Sequence, residues 1–168
     1  MIKCCKLLVF LFFSMNVFGQ SDAYNPPKGL NNWYVELGGS ALFYSLNYEK
    51  YLYRNNLENF TWLGRVGAAY NPFDYKFLDI VFLDRNSFMF PFTSTVLWGS
   101  GKEKLEFGGG FTMITKNFKD NEIVTNAVIG LRVMESNQVC FRISYIPIYR
   151  DHKWINWIGV SLGKNFSF

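Results

Sequence analysis

The chain has 168 residues, a formal net charge of +4, 20% aromatic residues and only 18% charged ones. A water-soluble domain carries about a quarter charged residues, so this composition excludes an ordinary soluble surface and requires apolar surface to face something other than water. The positive excess is too small to argue for nucleic acid or an anionic membrane surface as partner.

Residues 1–19 read as a secretory signal peptide and not as part of the fold. Lys3 and Lys6 make a basic start, residues 7–13 an unbroken apolar core, and Val17, Phe18 and Gly19 a processing site before Gln20. A bilayer-spanning helix needs ~20 apolar residues; this run is too short, and no later stretch is longer. Removing two lysines with the signal lowers the net charge to about +2 and leaves one domain's worth of chain. Cys4 and Cys5 precede the apolar core, where a lipoprotein's acylated cysteine would not stand. Cys140 is then the only cysteine, which excludes an internal disulfide and a CxxC metal site. Residues 20–30 are expected to form a periplasmic tail and 31–168 the folded domain.

Eight segments have strand character, roughly 31–39, 41–52, 60–70, 87–99, 104–114, 122–134, 139–149 and 157–168. Successive strand side chains point to opposite faces, so alternation of large apolar with small or polar residues marks a strand with one oily face. In 60–70, Phe60, Trp62, Val66, Ala68 and Tyr70 oppose Thr61, Leu63, Arg65, Gly67 and Ala69. In 104–114, Leu105, Phe107, Phe111 and Met113 oppose Glu106, Gly108, Gly110 and Thr112. Phe43, Ser94, Ile146 and Ile148 fall on the wrong side of this pattern. Pro91 and Pro147 interrupt strands near one rim, where a lost ladder bond is tolerable. The links 53–59, 100–103 and 135–138 are short, and 71–86, 115–121 and 150–156 are longer. Such alternation is expected of a membrane barrel with short periplasmic turns. Tyr48, Phe60, Trp62, Trp98, Phe107, Phe141 and Phe166 near one rim, with Tyr70, Phe88, Phe90, Phe111, Tyr145 and Trp157 near the other, predict two aromatic girdles.

A soluble eight-stranded barrel of the lipocalin kind is the rival fold, with its apolar set inside and its polar set in water. Here the polar set is dominated by Gly, Ser, Thr and Asn rather than Lys and Glu, which suits the crowded lumen of a barrel of ~8 strands. Glu36, Glu49, Arg65, Glu106, Arg132 and Arg142 all fall on that set. They are expected to form a lumen network of three acids and three arginines, because isolated buried charges are costly and paired ones tolerable. A charged conduction path would need a wider barrel.

No catalytic, metal or cofactor motif is found. His152, the only histidine, lies in a predicted loop with no rim serine beside it to make a base–nucleophile pair. The run Gly108–Gly110 lacks the following helix and GK[ST] of a phosphate loop and is expected to let the sheet curve. Asp74, Asp79 and Asp84 lack calcium-loop spacing.

The last strand places Ile158, Val160, Leu162, Phe166 and Phe168 on one face, broken only by Lys164, and Phe168 ends the chain. This resembles the assembly signal of Gram-negative outer-membrane barrels, carried here by Leu162, Phe166 and Phe168. Over 31–168 the pattern resembles the small OmpA/OmpX-like barrels. The fold expected is all-β, an eight-stranded antiparallel up-and-down transmembrane barrel. The resemblance implies an integral outer-membrane location, secretion through the inner membrane, and a non-enzymatic structural or interaction role through outer loops. It further implies contact with outer-membrane lipid, lipopolysaccharide, other outer-membrane proteins and, during insertion, the barrel-assembly machinery. An accessory subunit of a larger complex, a small-solute pore and a lipid A-modifying enzyme are the alternatives, since fold does not fix function.

Overall fold

The computed structural model describes residues 31–55, 59–72, 75–77, 81–83, 85–116, 120–135 and 138–166. The signal peptide, the 20–30 tail and Phe168 lie outside them. The strands in chain order are β1 (Asn31–Gly38), β2 (Tyr44–Arg54), β3 (Phe60–Asn71), β4 (Tyr75–Phe77), β5 (Val81–Leu83), β6 (Ser87–Trp98), β7 (Glu103–Lys116), β8 (Asp120–Met134), β9 (Val139–Arg150) and β10 (Lys153–Phe166). All but β4 and β5 close into one antiparallel barrel in which each strand pairs with its neighbours in sequence. β10 returns to β1, with Asn31 opposite Phe166 and Gly38 opposite Gly159. The terminal rim is the one where β1 begins and β10 ends, and the distal rim is opposite.

Burial follows the period of two and gives the phase that separates the two barrel types. Val35, Leu37, Leu46, Val66, Ile129, Ile143, Ile158 and Leu162 point outward and are between 46% and 64% exposed. Asn32, Ser45, Asn47, Thr61, Thr95, Thr112 and Ser161 point inward and are buried. An apolar exterior around a polar interior is the inverse of a water-soluble barrel, so the lipocalin-like alternative is rejected. Aromatic pairs gird both ends. Trp33 meets Tyr48 at 5.1 Å and Tyr53 meets Phe60 at 6.2 Å at the terminal rim. Tyr70 meets Phe88 at 4.9 Å and Tyr149 meets Trp154 at 5.1 Å at the distal rim.

Trp157 departs from the expected girdle. It turns inward, and its indole Nε1 donates to the Leu42 carbonyl at 2.8 Å; Trp154 stands in the distal girdle in its stead, 65% exposed. The expected long distal links are also mostly tight. β9 and β10 run on to a two-residue turn at Asp151 and His152, both with positive φ, 49° and 61°, the backbone of a type I′ hairpin. β7 and β8 extend to Lys116 and Asp120, which pair with each other. Only the link between β3 and β6 is long, and within it β4 and β5 form a separate two-stranded sheet.

Pro91 and Pro147 sit where a ladder opens over two residue pairs and resumes in register. The β3–β6 ladder runs to Val66 opposite Phe92 and restarts at Ala69 opposite Met89, spanning Pro91. The β8–β9 ladder skips from Ile129–Tyr145 to Asn126–Ile148, spanning Pro147. A missing N–H removes one bond without shifting the register.

If Ile143 faces hydrocarbon, Ile143→Arg should cost ~2–4 kcal/mol in lipid, while Ile143→Leu should cost under about 1.5 kcal/mol. Reversible urea unfolding in lipid vesicles measures both. An arginine tolerated as well as leucine would place that face in water.

Candidate functional site

The lumen is the one place where this fold concentrates chemistry, and it is built in three layers. In the middle lie the six charges that alternation places inward, from β1 (Glu36), β2 (Glu49), β3 (Arg65), β7 (Glu106), β8 (Arg132) and β9 (Arg142). The structure brings all six together. Arg132 grips Glu49 with both terminal nitrogens, at 2.6 and 2.7 Å, and reaches Glu106 at 3.0 Å. Arg65 donates its Nε to Glu49 at 2.7 Å and its Nη2 to Glu106. Arg142 donates to Glu36 at 2.6 Å and lies 3.6 Å from Glu106. The Tyr34 ring lies under the same cations, with the Arg142 guanidinium 4.5 Å and that of Arg65 5.9 Å from its centroid.

The closed order of strands explains how Glu49 and Arg132 meet across the lumen, whereas Glu49 and Arg65 are neighbours on β2 and β3. β2 and β8 stand opposite each other in the ring of eight, as do β3 and β9. Glu49 and Arg132 are therefore a fork closed across the diameter. Such bidentate, charge-assisted contacts are shorter and about twice as strong as neutral hydrogen bonds. Glu49 and Glu106 are wholly excluded from solvent and Arg132 is 1% exposed, so the charges pair with one another away from solvent, with Arg142 Nε left without a hydrogen-bond partner among the described residues.

Apolar layers cover the network on both sides. Toward the terminal rim, Tyr51, Leu63, Leu97, Met134 and Cys140 form a cluster. Toward the distal rim the cluster is Ala41, Leu42, Ala69, Met89, Ile114, Val124, Val128, Ile146, Ile148 and Ile155, with Phe43 and Trp157 packed on it. Ile146 and Ile148, out of phase in the sequence, are in phase with this upper layer. The lid of that layer is the 3-10 turn Gly39–Ala41, folded down into the barrel mouth between β1 and β2. Gly38 and Gly39 adopt positive φ there, and a Cβ on Gly39 would stand 2.1 Å from Glu36 Cδ, so only glycine lets the turn sit on the network. Two side chains fasten it: Thr112 donates to the Ser40 carbonyl at 2.7 Å and Trp157 to that of Leu42.

The glycine run in β7 answers to the same crowding. A Cβ on Gly108 would come 2.2 Å from the Ser94 carbonyl and one on Gly110 2.0 Å from that of Phe92. Sequence reasoning missed Lys104, buried two positions before Glu106 on the same inward set, although alternation alone would have placed it. It also missed Tyr34 and the lid, whose function depends on backbone geometry that composition does not reveal. Leu162 points outward at the terminal rim and the Phe166 ring lies 6.5 Å from that of Tyr48.

At the distal rim, His152 is exposed in its turn, with Tyr149 Oη 3.4 Å from its Nδ1. Beside it Arg150 pairs with Glu122 at 2.6 Å and Lys116 stands 3.7 Å from the same carboxylate. No group of three metal-ligating side chains occurs among the described residues; Asp74, Asp79 and Asp84 lie outside them.

Comparison with solved structures finds the Yersinia pestis outer membrane protein Ail, solved in a phospholipid bilayer nanodisc. The two superpose with a TM-score of 0.53 over 83% of this chain and 100% of that one. The fold is that of an integral outer-membrane β-barrel. Sequence identity is 13%, so the likeness is one of architecture. A crystal structure of Ail, the attachment invasion locus protein, matches with a TM-score of 0.45, 13% identity and coverage of 81% and 93%. No protein-family model matches the chain, and no curated relative does.

Arg132→Leu leaves Glu49 and Glu106 buried with one cation fewer and should cost ~3–5 kcal/mol. Lys102→Ala, which removes an exposed pair with Glu135, should cost ~0–1 kcal/mol. Trp157→Phe, which deletes one fastening of the lid and keeps its ring, should cost about 1 kcal/mol. Denaturant midpoints of the folded barrel in detergent rank the three. Equal losses for Arg132→Leu and Lys102→Ala would contradict the network.

Proposed function

We propose that the chain is a non-enzymatic integral outer-membrane protein, with a structural role or one exercised through contacts at its distal rim. The filled lumen carries this reading. A pore needs a continuous wet path, and here paired ions occupy the middle while an apolar layer lies above and below them. An enzyme of the lipid A-modifying kind needs a base within hydrogen-bond reach of a nucleophile at the rim. The group that reaches His152 is the Tyr149 phenol, 3.4 Å from Nδ1, and not a serine or an aspartate. The charge network then acts as a plug that stiffens the barrel.

Residues 1–19 direct secretion through the inner membrane, and the terminal rim faces the periplasm, where the strand ending at Phe168 is recognised by the barrel-assembly machinery. The distal rim then faces outward. It carries the β4–β5 sheet and a run of cations at Lys116, Arg150 and Lys153, which suits contact with lipopolysaccharide or other outer-membrane proteins. An accessory role in a larger complex remains the second reading, favoured by the β4–β5 sheet. Two strands alone are marginally stable in water and gain from a partner that covers them.

Planar-bilayer recording should show no discrete conductance steps for the wild-type protein, and lipid A profiles should be identical with and without His152→Ala. Steady single-channel current would replace the plug by a pore, and an altered lipid A profile would establish an enzyme. Deleting residues 166–168 should abolish the heat-modifiable gel mobility of the folded barrel and send the chain to degradation. Intact outer-membrane levels of the truncated chain would remove the assembly role of the last strand.

A further inference from the structure

The outward face of the barrel is not uniformly bulky. Lys50, Gly64, Ser94 and Gly109 are directly opposed across β2, β3, β6 and β7, and all four belong to the outward set. The outward row on their distal side is large, with Val66 opposite Phe92 and Phe92 opposite Phe111, the last two rings stacked at 5.2 Å. The row on the terminal side is large as well, with Trp62 opposite Val96 and Val96 opposite Phe107. An open trough of about 450 Å³ lies across these four strands, with Gly64, Ser94 and Gly109 on its floor, Lys50 at one end, and Tyr48, Leu52, Phe92 and Phe111 about it.

Packing does not require Gly64 to be small, although a Cβ on Gly109 would stand 3.0 Å from the Asn126 carbonyl. A Cβ on Gly64 would meet only the flexible Leu52 side chain, at 3.3 Å, whereas one on the inward Gly67 would stand 2.0 Å from Asn47 Oδ1. On the floor, Ser94 Oγ accepts from Trp62 Nε1 at 2.8 Å, so the hydroxyl is engaged from the terminal side. At one end stands Lys50, exposed and four positions from the last residue of β2 at the terminal rim. No described residue forms an ion pair with it.

We propose that this trough is a lipid site, resting on the membrane location proposed above. It seats one acyl chain of a glycerophospholipid whose phosphate is held by the Lys50 ammonium. The width decides between occupants. The walls lie four residues apart along each strand, ~13 Å between backbone rows, and their rings lean into that span. A helix with side chains is ~10–12 Å across and does not fit between them, whereas a single hydrocarbon chain does. Lipid tails are as apolar as the wall, so the chain is held by van der Waals fit rather than by a hydrophobic gain. The charge-assisted contact at Lys50 then selects a phosphate-bearing lipid over an uncharged one. Strands of such barrels tilt by ~35–45°, so the trough runs obliquely from the periplasmic interface toward mid-membrane, the path of a tail whose headgroup sits at that interface.

Native mass spectrometry of the full-length mature barrel, released from mild detergent with added dioleoyl phosphatidylglycerol or dioleoylglycerol, tests the site. Wild type should carry one phosphatidylglycerol per barrel and retain dioleoylglycerol roughly tenfold less, the worth of one charged hydrogen bond. K50Q should abolish that preference, and G64L, which fills the floor, should reduce retention of both lipids. Equal retention by wild type and both variants would overturn the proposal. So would a second copy or another protein held by wild type and lost in G64L, since the trough would then be a protein contact. Should G64L fail to fold, the K50Q comparison alone decides, because that substitution lies at the surface. Loss of the heat-modifiable band in wild type would instead refute the membrane reading before any lipid is counted.

Discussion

A β-sheet in hydrocarbon cannot leave an edge. Each unpaired N–H or C=O there costs several kcal/mol with no water to offset it, so the last strand must return to the first. The eight registered pairs between β1 and β10 accomplish that closure, and most other features of this chain follow from it. A closed ring of eight strands has an interior only wide enough for side chains to fill. The inward set must therefore be small where backbones crowd and must pair internally wherever it is polar. Gly67, Gly108, Gly110 and Gly163 occupy positions where a Cβ would collide with a neighbour, and Glu49, Glu106 and Arg132 occupy the level at which the lumen admits long side chains.

A buried ion pair is weak evidence for stability on its own, because desolvation offsets much of its attraction. The arrangement here limits that cost by sharing. Glu49 and Glu106 are each contacted by Arg65 and Arg132, and Arg142 links Glu36 to Glu106. Three acids face three arginines, so the charges of these six cancel. The apolar clusters on both sides keep water out, which strengthens each contact and makes the loss of any one partner expensive. The same layers that protect the network also close the route along the axis, so stability and impermeability have a common origin.

The faces of the strands were legible from sequence because period two is enforced wherever one side meets lipid and the other meets a packed lumen. That rule placed all six inward charges and the outward apolar set. It was less informative beyond the hydrocarbon. Lys116, Glu122, Arg150 and Lys153 make the distal ends of their strands polar, and such residues resemble loops. Asp151 and His152 form the hairpin turn without the Asn-Gly or Asp-Gly pair that usually announces one. Ile146, Ile148 and Trp157 looked misplaced because the lumen is not polar along its whole length. Toward the distal rim it holds an apolar cluster from the strands, capped by the turn between β1 and β2. A long-range contact such as Trp157 to the Leu42 carbonyl joins residues 115 positions apart, and no local pattern encodes it.

These constraints leave little of the molecule free for recognition. The lumen is filled, and three of the four distal links are tight, so specificity for a partner must lie in the β3–β6 link, the rim side chains or the lipid-facing wall. The wall is ordinarily the least informative surface, because bulk lipid covers any apolar belt. A row of small residues between two rows of rings departs from that uniformity, and its only charged member is a lysine that needs an anion at the interface. Long cationic side chains near the membrane boundary reach toward headgroups. A trough that ends on such a side chain gives the headgroup a fixed address and its tail a fixed path. The outer wall of this barrel is thereby patterned for lipid on one side, between β2 and β7.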